Sequence, residues 1–290
     1  MSDELKLPQL SPREDESHKG DYGRALLIGG SRGMAGAISL SGAATLRAGA
    51  GLVKLAVPDV CLDTVARFEP SYMTIPLPCD DAGRIRLTAK EVLKEHLQVA
   101  TVVACGPGMG RSSDLDKLVA WLYRNVKQPM VFDADALNAL ASQPAVLDSA
   151  GGPRVFTPHP GEFARLLGTD QVAIEDRGRL AREFAVRTGG IVLVKGHETV
   201  ITDGTQLAYN TTGNPGMATG GCGDVLTGVI TGFLCQGLAP FEAARLGAHV
   251  HGSAGDFAAA EIGPVGMIAR DLLRRLPRAI RATTDEDVPF

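Results

Sequence analysis

Short apolar runs alternate along the chain with longer stretches whose apolar residues recur at helical spacing. Six runs read as strands: RALLIGG (24–30), GLVKLAVP (51–58), TVVACGP (101–107), PMVFDAD (129–135), RVFTPHP (154–160) and GIVLVKG (190–196). Most are continuous Val, Ile, Leu and Ala, as expected of strands buried on both faces of a parallel sheet. A hairpin-like pair follows at 199–204 and 206–210. Helical periodicity predicts helices over 36–48, 112–124, 135–142, 160–167 and 172–187. Beyond residue 210 only helical patterns remain, at 224–236, 240–260 and 266–275. The alternation predicts an α/β fold with a mostly parallel central sheet flanked by helices on both faces. The sheet comes from the first 210 residues, and the terminal helices cover it.

In such sheets ligands bind beyond the carboxyl ends of the strands. Five predicted strands end there in glycine or polar clusters: GGSRGMAG (29–36), GPGMG (106–110), DADALN (133–138), TPHPGE (157–162) and KGHET (195–199). They are expected to share one rim and to line a cleft.

Composition narrows the classes. Glycine supplies 35 of 290 residues, well above the average share of about 7%, without a collagen period. These glycines need explaining as turns, close packing or backbone that approaches a ligand. The net charge of −4 and the 14 aromatics argue against a nucleic-acid binder, which carries a basic face and stacking platforms. Five scattered cysteines without a C-x-x-C pair predict a reducing compartment and no zinc site. The first residues, MSDELKLPQL, lack the apolar core of a signal peptide, and no apolar run reaches membrane-spanning length. A cytoplasmic protein is expected. Residues 1–17 read as a loose arm, 18–280 as one domain and 281–290 as an acidic tail.

Several motifs are excluded. No lysine precedes Ser or Thr, so there is no Walker A loop. Gly106-Pro107-Gly108-Met109-Gly110 follows a strand but has the wrong spacing for a dinucleotide fingerprint. Gly29-Gly30-Ser31-Arg32-Gly33 matches a hydrolase nucleophile elbow, but it stands too early in the chain for an oxyanion-hole loop to precede it, and a glycine turn is the better reading. His249 and His251 are two apart in a helical pattern and do not share a face, which disfavours a metal pair.

The most informative segment is NPGMATGGCGD (214–224), running into VLTGVITGFLCQG. A glycine loop entering a helix aims loop amides and helix N–H groups at one point, an anion hole suited to phosphate. Asp224 stands where the helix begins. As an N-cap it would contribute about 1 kcal/mol. Beside a bound phosphate it reads better as a base, since a purely structural cap would avoid the charge repulsion.

GTGGCGD entering an amphipathic helix late in an α/β chain resembles the anion hole and base of ribokinase-like enzymes. The match narrows with HKGDYGRALLIGG (18–30), AGAISLSGAATLRAGAGLVKLAVP (35–58), the GPGMG turn, FDADALNAL (132–140), FTPHPGEFARLLG (156–168), VLVKGHETVITDG (192–204) and NPGMATGGCGDVLTG (214–228). Together, in this order, they resemble the ADP/ATP-dependent NAD(P)H-hydrate dehydratases over about residues 18–275. Some members carry an additional epimerase domain, for which 290 residues leave no room, so the single-domain type is expected.

The resemblance implies a repair lyase that uses ADP or ATP to return hydrated NADH or NADPH (the S forms of NADHX and NADPHX) to NAD(P)H. In the bacterial branch ADP becomes AMP and phosphate. It implies Asp224 as base at the substrate hydroxyl, and Gly221, Cys222 and Gly223 as the loop stabilising the transferring phosphoryl group. Lys195, Gly196, His197, Glu198, Thr199 and Gly223 would bind the nucleotide. Ala44, Gly106, Gly108, His159 and Asp224 would bind the hydrate. Glu162 would help hold Mg²⁺ through water. Asp133 and Asp135 point to one side of a strand end and read as supports for that ion, with capping of the next helix as the alternative for Asp135. The expected partners are these small molecules, with no nucleic acid or membrane, in a homo-oligomer for which a tetramer is one option. A vitamin-precursor kinase of the same fold and a non-catalytic nucleotide sensor are the competing functions.

Overall fold

The computed structural model describes residues 6–283. Nine strands form one sheet: β1 (Arg24–Ile28), β2 (Leu52–Pro58), β3 (Met73–Leu77), β4 (Val102–Cys105), β5 (Met130–Phe132), β6 (Arg154–Phe156), β7 (Ile191–Val194), β8 (Thr199–Thr202) and β9 (Leu207–Asn210). Ten α-helices accompany them: α1 (Ala35–Arg47), α2 (Leu62–Ala66), α3 (Ala89–Val99), α4 (Ser113–Asn125), α5 (Ala134–Ala141), α6 (Pro160–Leu167), α7 (Arg177–Thr188), α8 (Cys222–Cys235), α9 (Pro240–Ile262) and α10 (Ala269–Arg281).

The sheet order is β3-β2-β1-β4-β5-β6-β7-β8-β9. β1 to β7 run parallel, and β8 and β9 add an antiparallel hairpin. The chain leaves β1 toward β2 and β3, then returns through α3 to β4 on the other side of β1. That reversal makes the carboxyl ends of β1 and β4 the switch point, near which such sheets hold ligands.

Alternation along the strands sorts the core into two layers. Ala25 and Leu27 of β1 join a cluster with α1, α8, α9 and α10. Leu26 and Ile28 join another with α3 to α7. Both faces are covered, as the continuous apolar runs predicted. No helix among the described residues is long and apolar enough to cross a membrane.

Three elements were not anticipated. β3 reads MTIPL, and its Pro76 confines it to a sheet edge, where the structure puts it. α2 is a five-residue helix. α3 buries only Ala89, Leu93 and Leu97, too narrow a stripe to stand out in a charged sequence. α7 starts at Arg177, five residues later than its periodicity suggested. α10 continues to Arg281 through Pro277, because Leu272, Leu273, Leu276 and Ala279 bury one face against the core. Residues 6–17 form no helix or strand, yet they are tied down. Arg13 donates to the Gly49 carbonyl at 2.7 Å, and Leu7 and Leu10 pack on the core. The acidic stretch 284–290 lies outside the described residues.

The tightest helix contact is α1 against α8. A Cβ on Gly228 would sit 2.2 Å from the Ser41 carbonyl oxygen and 2.6 Å from the Ala44 Cβ. The two backbones therefore nearly touch, and this seam fixes where α8 begins.

Candidate active site

Three parallel strands deliver charge to one rim. β5 ends in Asp133, β6 leads to His159 and Glu162, and β7 ends in Lys195. The Lys195 ammonium donates to Asp133 Oδ1 at 2.8 Å and lies 3.9 Å from Glu162 Oε2. The Asp133 side chain is 2% exposed, and its Oδ2 accepts from the Thr227 hydroxyl of α8 at 2.8 Å. One buried carboxylate thus ties β5, β7 and α8 together.

α8 enters this rim through its first turn. Gly221 precedes it with φ 96, a left-handed conformation that suits glycine. A Cβ on Gly223 would lie 3.3 Å from the Lys195 ammonium, so the loop backbone reaches the cation. Ser41 of α1 donates to the Asp224 carbonyl at 2.8 Å and holds the turn from behind. Asp224 is the third residue of α8, not its N-cap; Gly221 occupies that position. The capping role considered for Asp224 is therefore replaced by one inside the first turn, facing the acidic rim.

The electrostatics follow from this crowding. Burial, then the neighbouring Asp133, push the Asp224 carboxyl up to about 7, against the pull of Lys195. Burial works against the charged form of Lys195, but Asp133 and Glu162 outweigh it and raise its pKa. The lysine stays protonated. Burial also raises Glu162. Burial and the nearby Lys195 lower His159.

His159 and Glu162 form a reciprocal cap at the start of α6. His159 Nδ1 accepts from the Gly161 N–H at 3.1 Å, and Glu162 Oε2 accepts from the His159 N–H at 2.8 Å. The imidazole is half-exposed, with Nε2 3.4 Å from Glu162 Oε1. Asp135 accepts from the Gly110 N–H at 2.8 Å and anchors the GPGMG turn. In that turn Gly106 is packed against the Asp133 carbonyl, while Gly108 sits against Met34 and Ala37 at the start of α1. Residues 195–199 make the turn into β8. Gly196, His197 and Glu198 are exposed, and Glu198 has φ 53, unusual for a non-glycine residue. Thr199 Oγ1 donates to the Gly196 carbonyl at 2.9 Å.

Ala44, expected to face the hydrate, is fully buried and packs on Gly228 between α1 and α8. Ser31 of the elbow-like motif is 2% exposed and donates to the Gly108 carbonyl at 2.8 Å. It pins two turns together and is no exposed nucleophile. Cys222 is buried, and burial pushes its thiol up to about 11, so its contribution to the loop is its backbone. Its carbonyl lies 2.8 Å from His251 Nε2. Burial lowers that imidazole to about 4, and the neutral ring is assigned as donor to the carbonyl. This anchor for α8 was missed; the apolar surroundings of His251 in the α9 pattern were the available signal.

The residues fit Mg²⁺ in one way. No group of three or more candidate metal ligands occurs among the described residues. Glu162 offers a buried carboxylate beside the phosphate-facing rim, 3.9 Å from the Lys195 ammonium. Mg²⁺ commonly keeps several waters and uses one or two carboxylates plus phosphate oxygens, so a water-mediated role for Glu162 suits this donor set.

A cleft of about 810 Å³ opens at the other end of the sheet, lined by Lys19, Arg24, Lys54 and His96 among others. It holds none of the shifted carboxylates. The crowded titratable groups mark the carboxyl-end rim as the reactive one.

Fold and site define a ribokinase-like α/β protein. The Bacillus subtilis ADP/ATP-dependent NAD(P)H-hydrate dehydratase, co-crystallised with ATP/Mg²⁺, superposes with a TM-score of 0.79 at 28% identity, covering 95% of each chain. An Enterococcus faecalis ribokinase-like protein superposes with a TM-score of 0.81 at 26% identity, over 96% of this chain and 93% of that one. The profile of the NAD(P)H-hydrate dehydratase family matches residues 25–278, and the chain belongs to that family. The bifunctional NAD(P)H-hydrate repair enzyme Nnr of Moorella thermoacetica is 49% identical over 96% of this chain and 53% of its own length. The ADP-dependent (S)-NAD(P)H-hydrate dehydratase of Neisseria meningitidis is 35% identical, over 92% of this chain and 88% of its own. The chain spans about half the length of the bifunctional relatives it matches.

Proposed function

We propose that this protein dehydrates the S forms of NADHX and NADPHX to NADH and NADPH, converting ADP to AMP and phosphate. The observation that carries the reading is Asp224, whose carboxyl is raised to about 7 in the first turn of α8, beside the backbone that meets Lys195. A base of that pKa holds a proton reversibly near neutrality, which an ordinary carboxylate of pKa about 3.9 does poorly.

Asp224 takes the proton of the ring hydroxyl as its oxygen attacks the terminal phosphorus, and the bond to the AMP oxygen breaks. The N–H groups of Gly221, Cys222 and Gly223 stabilise the charge on the transferring group. Loss of phosphate from the ring, with loss of a neighbouring ring proton, restores the double bond. Lys195 and residues 196–199 bind the nucleotide. His159 and the Gly106–Gly108 turn border the hydrate. Glu162 would help hold Mg²⁺, which would supply neutralisation of phosphate charge. The enzyme is proposed to act in the cytoplasm as a homo-oligomer.

The test mixes hydrated NADH or NADPH with enzyme, Mg²⁺ and either ADP or ATP and follows recovery of NAD(P)H absorbance. Recovery with stoichiometric phosphate release is expected. Phosphorylation of a vitamin precursor without such recovery would support the kinase alternative. Nucleotide binding without turnover of any substrate would leave a sensor.

A further inference from the structure

We propose that Arg177 binds the phosphates of the nucleotide, as a cation separate from the segment 195–199. The proposal rests on the nucleotide reading of that segment.

α7 carries four arginines, and three are engaged. Arg179 pairs with Asp176 and Glu183, both within 2.9 Å. Arg182 donates to the Thr205 carbonyl at 2.7 Å, and Arg187 pairs with Asp148 at 3.3 Å. Arg177 differs. Its Nε is buried with no hydrogen-bond partner, and no ion pair holds its guanidinium among the described residues. A buried donor left unmet is costly, which points to a partner that arrives from outside.

The position of Arg177 indicates what that partner is. It is the first residue of α7, and one guanidinium nitrogen lies 2.9 Å from where a Cβ on Gly196 would stand. Gly196 has φ 149, and Glu198 two residues on is also left-handed, so this turn is held open beside the arginine. A side chain at position 196 would collide with the guanidinium.

Charge balance gives a second, independent argument. The rim gathers Asp133, Glu162 and Asp224 around Lys195. Lys195 is already committed to Asp133 at 2.8 Å and to Glu162 at 3.9 Å. A di- or triphosphate entering such a rim meets net negative charge. It needs cations that the carboxylates have not already neutralised. A planar guanidinium suits that task, because it can grip phosphate oxygens in pairs.

The test is direct binding by calorimetry on the full chain with Mg²⁺, using ADP and phosphate-free adenosine. Arg177→Gln should weaken ADP by ~10- to 100-fold, the range for a lost charge-assisted contact. Adenosine affinity should stay within about twofold, and Arg177→Lys should fall between. The melting temperature should change little, since no hydrogen bond or ion pair among the described residues is removed. Unchanged ADP affinity would overturn the proposal. So would an equal loss for ADP and adenosine, which would show a packing role. Wild-type protein that fails to bind ADP at all would defeat the nucleotide reading itself.

Discussion

α8 does two different things within fourteen residues. Its first turn meets the charged rim, where Gly223 approaches Lys195 and Asp224 is held at a raised pKa. One turn later the same helix is jammed against α1, where Gly228 and Gly232 leave no space for a methyl group. Glycine serves both regions, for opposite reasons. At the rim it keeps space for a ligand; at the seam it lets two backbones close that space. Asp224 at the rim should therefore be sensitive in activity and tolerant in stability, and the seam glycines the reverse.

Asp224→Asn should break the comparison most sharply. Loss of a general base is expected to lower kcat by ~10²- to 10⁴-fold. Stability should not fall. The folded pKa of about 7 lies above the unfolded value near 3.8, so the folded state favours the protonated form. The wild type is relatively most stable below pH 4 on this account and loses that margin as pH rises through 7. The amide removes the loss, so the melting temperature above pH 7 should match or exceed that of wild type. A large kcat loss accompanied by unfolding would merge the two regions.

Gly228→Ala tests the seam. Overpacking should cost about 1–3 kcal/mol, read as a lower urea midpoint. An unchanged midpoint would mean that the seam has slack. Lys195→Ala should raise the nucleotide KM ~10- to 100-fold, in the range for a lost contact between charges. An effect confined to the hydrate would remove Lys195 from the nucleotide. The pH profile of wild-type kcat/KM sharpens the role of Asp224: activity should rise through an apparent pKa near 7, because the base must be deprotonated. A limb near 4 would show that free Asp224 is an ordinary carboxylate. The smallest effect is expected from Thr227→Val, which removes one hydrogen bond to Asp133 and should cost about 1 kcal/mol of stability.

Much of this arrangement was legible in advance. Buried parallel strands are continuous apolar runs, so β1, β2 and β4 to β7 stood out, while β3 and α3 did not. The glycine loop before Asp224, the TPHPGE turn and the KGHET turn were each recognisable, and the fold brings them to one rim. Ala44 looked equally eligible from its block, yet it belongs to the seam. A small residue in a helix reads the same whether its face meets a ligand or another helix. The pairing of Lys195 with Asp133 spans 62 residues, and no local pattern encodes it.

The sequence alone determined the alternation of strands and helices, the glycine loops at the strand ends and the residue types available for chemistry. Those follow from local periodicity and backbone preference. Only the tertiary structure decided that Asp133 neutralises Lys195, that Asp224 sits raised to about 7, and that Arg177 reaches Gly196 without a partner. The reason is physical: burial and electrostatic coupling depend on distances through space, which residues far apart in the chain acquire only when the sheet and its covering helices have formed.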